Sequence, residues 1–142
     1  MAAVNTIMQI KKSHPNNLMA KNFDKAYYDS LDPALQKRLL LCCKSGIENP
    51  DSGMGVYAMY PDDYDVLKPF MGAAIKDYHK IKGEVKHVTN WDTSKISGMP
   101  ADGALDLAKL GLGTTSMRVR VGRNLAAFPL PGAMTRDDRV KM

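Results

Sequence analysis

Apolar residues change their spacing twice along the chain. From "LMAKNFDKAYYDSL" onward they recur in a helical manner, and in "DPALQKRLLLCCKS" Leu35, Leu39 and Cys42/Cys43 share one face. Asp32 is placed to cap that helix with Pro33 at its first position, and Gly46 stands where it would stop. In "YPDDYDVLKPFMGAAIKDYHKI" the residues Tyr64, Leu67, Met71, Ala74, Ile75 and Tyr78 follow i, i+3, i+4 spacing. Asp62 or Asp63 can cap it, Pro69 divides it into two pieces, and Gly83 ends it. Residues 84–113 are polar, broken by glycine and proline, and without period. "TTSMRVRV" then alternates as a strand does, and Thr135 is a candidate helix start. The pattern predicts a mainly α chain: a small all-helical N-terminal domain over 1–83, with 1–17 a loose arm ending at "HPNN", and a linker over 84–113. Residues 114–142 would open a larger α/β (α+β) domain, of which only a first strand is present, and a lone strand is not stable.

Composition narrows the class. The 142 residues are 44% hydrophobic and 25% charged, enough for one globular core and inconsistent with disorder. The net charge of +5 permits an anionic ligand, and the last quarter is the place for it, since Arg118, Arg120, Arg123, Arg136, Arg139 and Lys141 crowd there. Adjacent Cys42 and Cys43 cannot form an ordinary unstrained disulfide and offer no zinc spacing, so buried, reduced thiols are expected, as in a cytoplasmic protein. No window has transmembrane length, and no membrane partner is expected. His14, His79 and His87 are scattered, no metal-ligating set is predicted, and Trp91 is expected to anchor the linker. A basic module binding nucleic acid is disfavoured, because Phe128 is the sole aromatic of the basic region.

Two stretches carry candidate chemistry. On a strand, Met117, Val119 and Val121 would share one face and Ser116, Arg118 and Arg120 the other, with the two guanidinium groups roughly 7 Å apart. Such forks suit a polyphosphate, although an ordinary solvated strand has the same alternation. The loop "DSGMGVY" lacks the GK[ST] of a phosphate loop and the dinucleotide fingerprint. It is either a turn between helices or a backbone cradle for an oxyanion such as a carboxylate.

Taken in register, "HPNNLMAK", "NPDSGMGVYA", "PDDYDVLKPFMGAAIKDYHK" and "SMRVRVGRNLAAFPLP" resemble the phosphagen (guanidino) kinases, the family of arginine and creatine kinases, from about His14 onward. The resemblance implies a helical N-terminal domain followed by the start of a truncated catalytic domain. It also implies reversible transfer of the ATP γ-phosphoryl group to a guanidino amino acid, with ATP/ADP and Mg2+, and leaves homodimer formation open. By the same resemblance Ser52, Gly53, Met54, Gly55 and Tyr57 form the guanidino-specificity loop, while Ser116, Arg118, Arg120 and Arg123 hold nucleotide phosphates. Met117 departs from the threonine or serine usual in the family. The short loop and Tyr78 resemble arginine kinases; the start "HPNNLMAK" looks more like creatine kinases, and taurocyamine-type members can share the tyrosine. The family's paired catalytic glutamates and reactive cysteine have no counterpart here: Glu48 and Glu84 are the only glutamates. No catalytic residue is therefore assigned, and the chain alone is expected to be inactive, with a non-catalytic helical interaction remnant as the alternative.

Overall fold

A computed structural model describes residues 2–86, 88–116 and 118–142. Its described residues contain helices and no strand. They divide into two compact units, one of residues 1–84 with 124–142 and the other of 85–123.

The larger unit is built on α4 (Pro33–Glu48), which starts as its sequence dictates. The Asp32 carboxylate accepts from the N–H groups of Ala34 and Leu35, at 2.8 and 2.9 Å, ahead of Pro33. Asp24 caps α3 (Lys25–Ser30) in the same way. Residues 2–13 correct the expected loose arm, because they form α1 (Ala2–Ser13). Val4, Ile7 and Ile10 are buried on its inner face, and α1 packs on α4 and on α2 (Leu18–Asn22). Burial of that short stripe stabilises a helix that propensity alone leaves marginal. The core consists of these residues with Met19, Ala20, Phe23, Leu39, Cys42, Cys43, Met59, Leu67, Phe70 and Met71.

The second helical region is divided as Pro69 requires, into α5 (Asp63–Val66) and α6 (Lys68–Tyr78). Its apolar face splits in two. Leu67, Phe70, Met71 and Ala74 are buried against the core, while Tyr64, Ile75 and Tyr78 stay substantially exposed. Residues 124–142, expected in another domain, belong to this unit and end in α7 (Arg136–Lys141). The predicted start of α7 holds: Thr135 and Asp138 make a capping box.

In the smaller unit no described residue is buried. A 3-10 turn (Thr93–Lys95) is its only helical element among the described residues, and Trp91, expected as an anchor, is 86% exposed. The predicted strand does not form among the described residues of 114–121. Alternation alone cannot make a strand, since its N–H and C=O groups need a neighbouring strand to pair with. His87, and Met117 with its proposed inward face, lie outside the described residues.

Candidate functional site

The glycine loop is fastened to α4 by its own backbone. The Gly46 N–H donates to the Gly55 carbonyl at 3.1 Å, and the Tyr57 N–H donates to the Cys42 carbonyl at 3.0 Å. Residues 55–57 thus run along the helix as a two-bond clip. The clip requires very close backbones: a Cβ on Gly46 would stand 2.9 Å from the Gly55 Cα, and one on Gly55 would stand 2.8 Å from the Gly46 Cα. Gly55 also has φ +70°, the left-handed region that favours glycine. Gly46 therefore does not stop α4, which continues to Glu48; it makes room for the loop.

A second support comes from "HPNN", expected from the sequence as the end of the loose arm. Asn17 is buried, and its amide donates to the carbonyls of Gly46 at 3.2 Å and Pro50 at 3.1 Å. Its side-chain oxygen accepts from the Ala20 N–H, capping α2. The Met19 N–H donates to the Met54 carbonyl at 3.0 Å. An asparagine in a polar turn carries no sequence signal for this role, because burial arises only when the loop folds back.

The loop's far end is set by Asp63. This carboxylate is fully buried and accepts from the N–H groups of Met59 (2.6 Å) and Tyr60 (2.8 Å) and from the Cys42 thiol (3.6 Å). Arg38 pairs with both Asp62 and Asp63 and lies over the Tyr60 ring, 5.0 Å from its centre. The Arg38 guanidinium holds the Asp62 carboxyl below the usual range. The sequence offers Asp62 or Asp63 as a helix cap, yet Asp62 makes no cap hydrogen bond and both acids serve Arg38. Arg38 gave no sequence signal of its own, being one of several basic residues on α4.

Around this framework opens a groove of about 770 Å³. Met54, Val56 and Tyr57 of the loop, Tyr64 of α5, and Met71, Ala74, Ile75 and Tyr78 of α6 line it, as do Leu130–Gly132. Two separate sequence clues, the loop and Tyr78, thus meet in one cavity, where Tyr57 is 52% and Tyr78 56% exposed. The Tyr78 ring stands edge-on to His79, with centres 5.0 Å apart. Ser52 is half-buried and its hydroxyl accepts from the Met54 N–H at 3.3 Å, while Gly53 is exposed with open space beside it. The N–H groups of Gly53 and Val56 have no acceptor among the described residues.

The expected phosphate residues lie in the other unit. Ser116, Arg118, Arg120 and Arg123 are all exposed, and Arg123 donates to the Gly122 carbonyl at 2.7 Å. Burial pushes the Cys42 thiol up to about 12 and raises Cys43 further, so both thiols are held protonated. Among the described residues no three His, Cys, Asp or Glu side chains converge on a cation site, and no helix is long and apolar enough to cross a membrane.

A small helical unit with a glycine-clipped loop beside a groove lined by Tyr57, Tyr64 and Tyr78 is the class of structure the described residues define. Residues 13–76 match the family model of the ATP:guanido phosphotransferase N-terminal domain. An arginine kinase of Amphioctopus fangsiao is 37% identical over 96% of this chain and 38% of its own length. One of Liolophura japonica is 37% identical over 89% of this chain and 36% of its own, and one of Homarus gammarus 33% identical over 84% and 33%. Through its N-terminal domain the chain belongs to the ATP:guanido phosphotransferase family. It spans little more than a third of the length of the first two relatives.

Proposed function

We propose that this chain supplies the guanidino-substrate groove of an ATP:guanidino phosphotransferase and that the preferred substrate is arginine. The observation that carries the reading is the meeting of Met54 and Tyr57 with Tyr78 in one groove. The substrate carboxylate is assigned to the unengaged N–H groups of Gly53 and Val56. The arginine kinase relatives favour the same substrate. The creatine-kinase-like start weighs little against it, because Asn17 in that segment supports the loop and does not line the groove.

For the nucleotide, Ser116, Arg118, Arg120 and Arg123 are assigned to the phosphates of ATP or ADP. Guanidinium forks suit phosphate oxygens, and all four side chains are exposed. Mg2+ would be carried by the nucleotide phosphates and would neutralise charge during transfer. The chain's own part is to bind and orient the guanidino compound. A carboxylate to orient the guanidinium is not among the groove residues, so these 142 residues alone are expected to bind without transferring phosphate.

Calorimetric titration of the purified chain tests the reading. L-arginine should bind more tightly than creatine or taurocyamine, and Tyr57→Ala should weaken it. Preference for creatine would overturn the substrate assignment. ATP-dependent phosphorylation of arginine by the 142 residues alone would overturn the expected inactivity.

A further inference from the structure

The stretch "NLAAFPLPGA" is not used by the loop or by the arginines, yet it is built into the groove. The Leu130 N–H donates to the Met59 carbonyl at 3.0 Å, and the Ala133 N–H closes a turn onto the Leu130 carbonyl at 2.9 Å. Ala133 packs against the core. Gly132 lies so close to Met59 that a Cβ there would stand 2.7 Å from the methionine Cε and 3.0 Å from its sulfur. From the C-terminal side, the Arg139 guanidinium donates to the Pro131 carbonyl at 3.1 Å, and Arg139 is itself held in the helix that Thr135 and Asp138 cap. Four fastenings on four successive residues make a fixed strap rather than a passing loop.

The strap is anchored through Met59, the residue whose N–H is held by the buried Asp63. Loop end and strap therefore share one rigid support. Leu130, Pro131 and Gly132 line the groove together with Val56 and Ile75, and none of these five carries a charge.

We propose that the strap Leu130–Ala133 is the second wall of the guanidino groove and sets the length of substrate it accepts. The inference rests on the functional reading above. If the N–H groups of the loop take the carboxylate, the apolar interval between loop and strap takes the methylenes that separate carboxylate from guanidinium. Arginine has three such methylenes and guanidinoacetate one, so contact with Leu130 discriminates between them by burying more apolar surface. This is a specificity role exerted on the unreactive stem of the substrate.

The test is an amide-resolved NMR titration of the full 142-residue chain with L-arginine and, separately, with guanidinoacetate. Saturable shifts are expected in both Met54–Ala58 and Leu130–Ala133 with arginine, and weaker shifts in the strap with guanidinoacetate. Leu130→Ala should weaken arginine by about three- to tenfold and leave guanidinoacetate within about twofold. The spectrum of Leu130→Ala shows directly whether that variant is folded, and Leu130→Val gives a milder second case with the same expected direction. Arginine shifts confined to Met54–Ala58, or an equal loss for both ligands in the folded variants, would overturn the strap's role and leave the functional reading standing. No saturable shift in either segment would overturn both.

Discussion

Gly46 and Gly55 meet backbone to backbone, and that meeting decides what the loop is. The Gly46 substituent would strike the Cα and carbonyl oxygen of Gly55, both at 2.9 Å, and neither of these can swing aside as a side-chain end can. Gly46→Ala and Gly55→Ala should each cost about 1–3 kcal/mol by overpacking, with about 1 kcal/mol more at Gly55 for its positive φ. Gly53→Ala meets nothing and should stay within about 0.5 kcal/mol. Denaturant melts of the three variants check the order; a neutral Gly46→Ala would remove the clip from the account. The cysteines, too, behave by position. With Cys42 held near 12 and Cys43 higher, native thiols should react with a disulfide reagent many-fold more slowly than the same thiols in denaturant. Rapid labelling of native Cys42 or Cys43 would contradict their burial.

Between α4 and α5 the link is ionic, and its strength should depend on acid. Asp62 is held below its ordinary value by its hydrogen bond to Arg38, and Asp77 by hydrogen bonds from Lys21 and Asn22 that tie α2 to α6. A folded-state pKa below the unfolded one contributes stability that is present above the unfolded value, about 3.9 for aspartate. That contribution is lost as pH falls through the depressed folded values. Melting temperature should accordingly be flat near neutrality and fall below about pH 4. Arg38→Ala should cost about 3–5 kcal/mol, because it leaves the fully buried Asp63 without its cation. It should also blunt the acid dependence that Asp62 contributes, which melts at a series of pH values will show. The helices themselves were legible to different degrees for physical reasons. α4 carries its own start signal in Asp32 and Pro33, and the break at Pro69 is a steric fact of one residue. α1 has no such punctuation: Asn5, Thr6 and Gln9 interrupt its apolar residues, and only packing on α2 and α4 reveals the buried stripe. In the candidate site, Tyr57 and Tyr78 were legible because a resemblance named them, whereas Asn17 and Arg38 act through partners 24 or more residues away and Gly46 through Gly55, nine residues on, which no local pattern records.

Across the molecule the two compact units should differ most in how readily they open. In 85–123 no described residue is buried, and its described backbone hydrogen bonds are local turns such as Gly103 to Pro100 and Leu112 to Leu107. Opening such a segment costs little, so brief trypsin treatment should cut after Lys86, Lys95, Lys109, Arg118, Arg120 and Arg123 first. In the larger unit the comparable side chains are engaged: Lys11 donates to the Phe23 carbonyl, Lys21 pairs with Asp77, and Arg38 with Asp62 and Asp63. Early cuts after those residues would contradict the division into units. The same digestion bears on the phosphate assignment. The strand that would have fixed Arg118 and Arg120 on one face is not formed among the described residues, and under the proposed assignment a bound nucleotide would order this segment. MgATP should therefore slow cleavage after Arg118, Arg120 and Arg123, where guanidinium groups engage phosphate, and leave the rates after Lys86 and Lys95 unchanged. Uniform rates at all five positions, read by mass spectrometry over time, would remove these arginines from the nucleotide site.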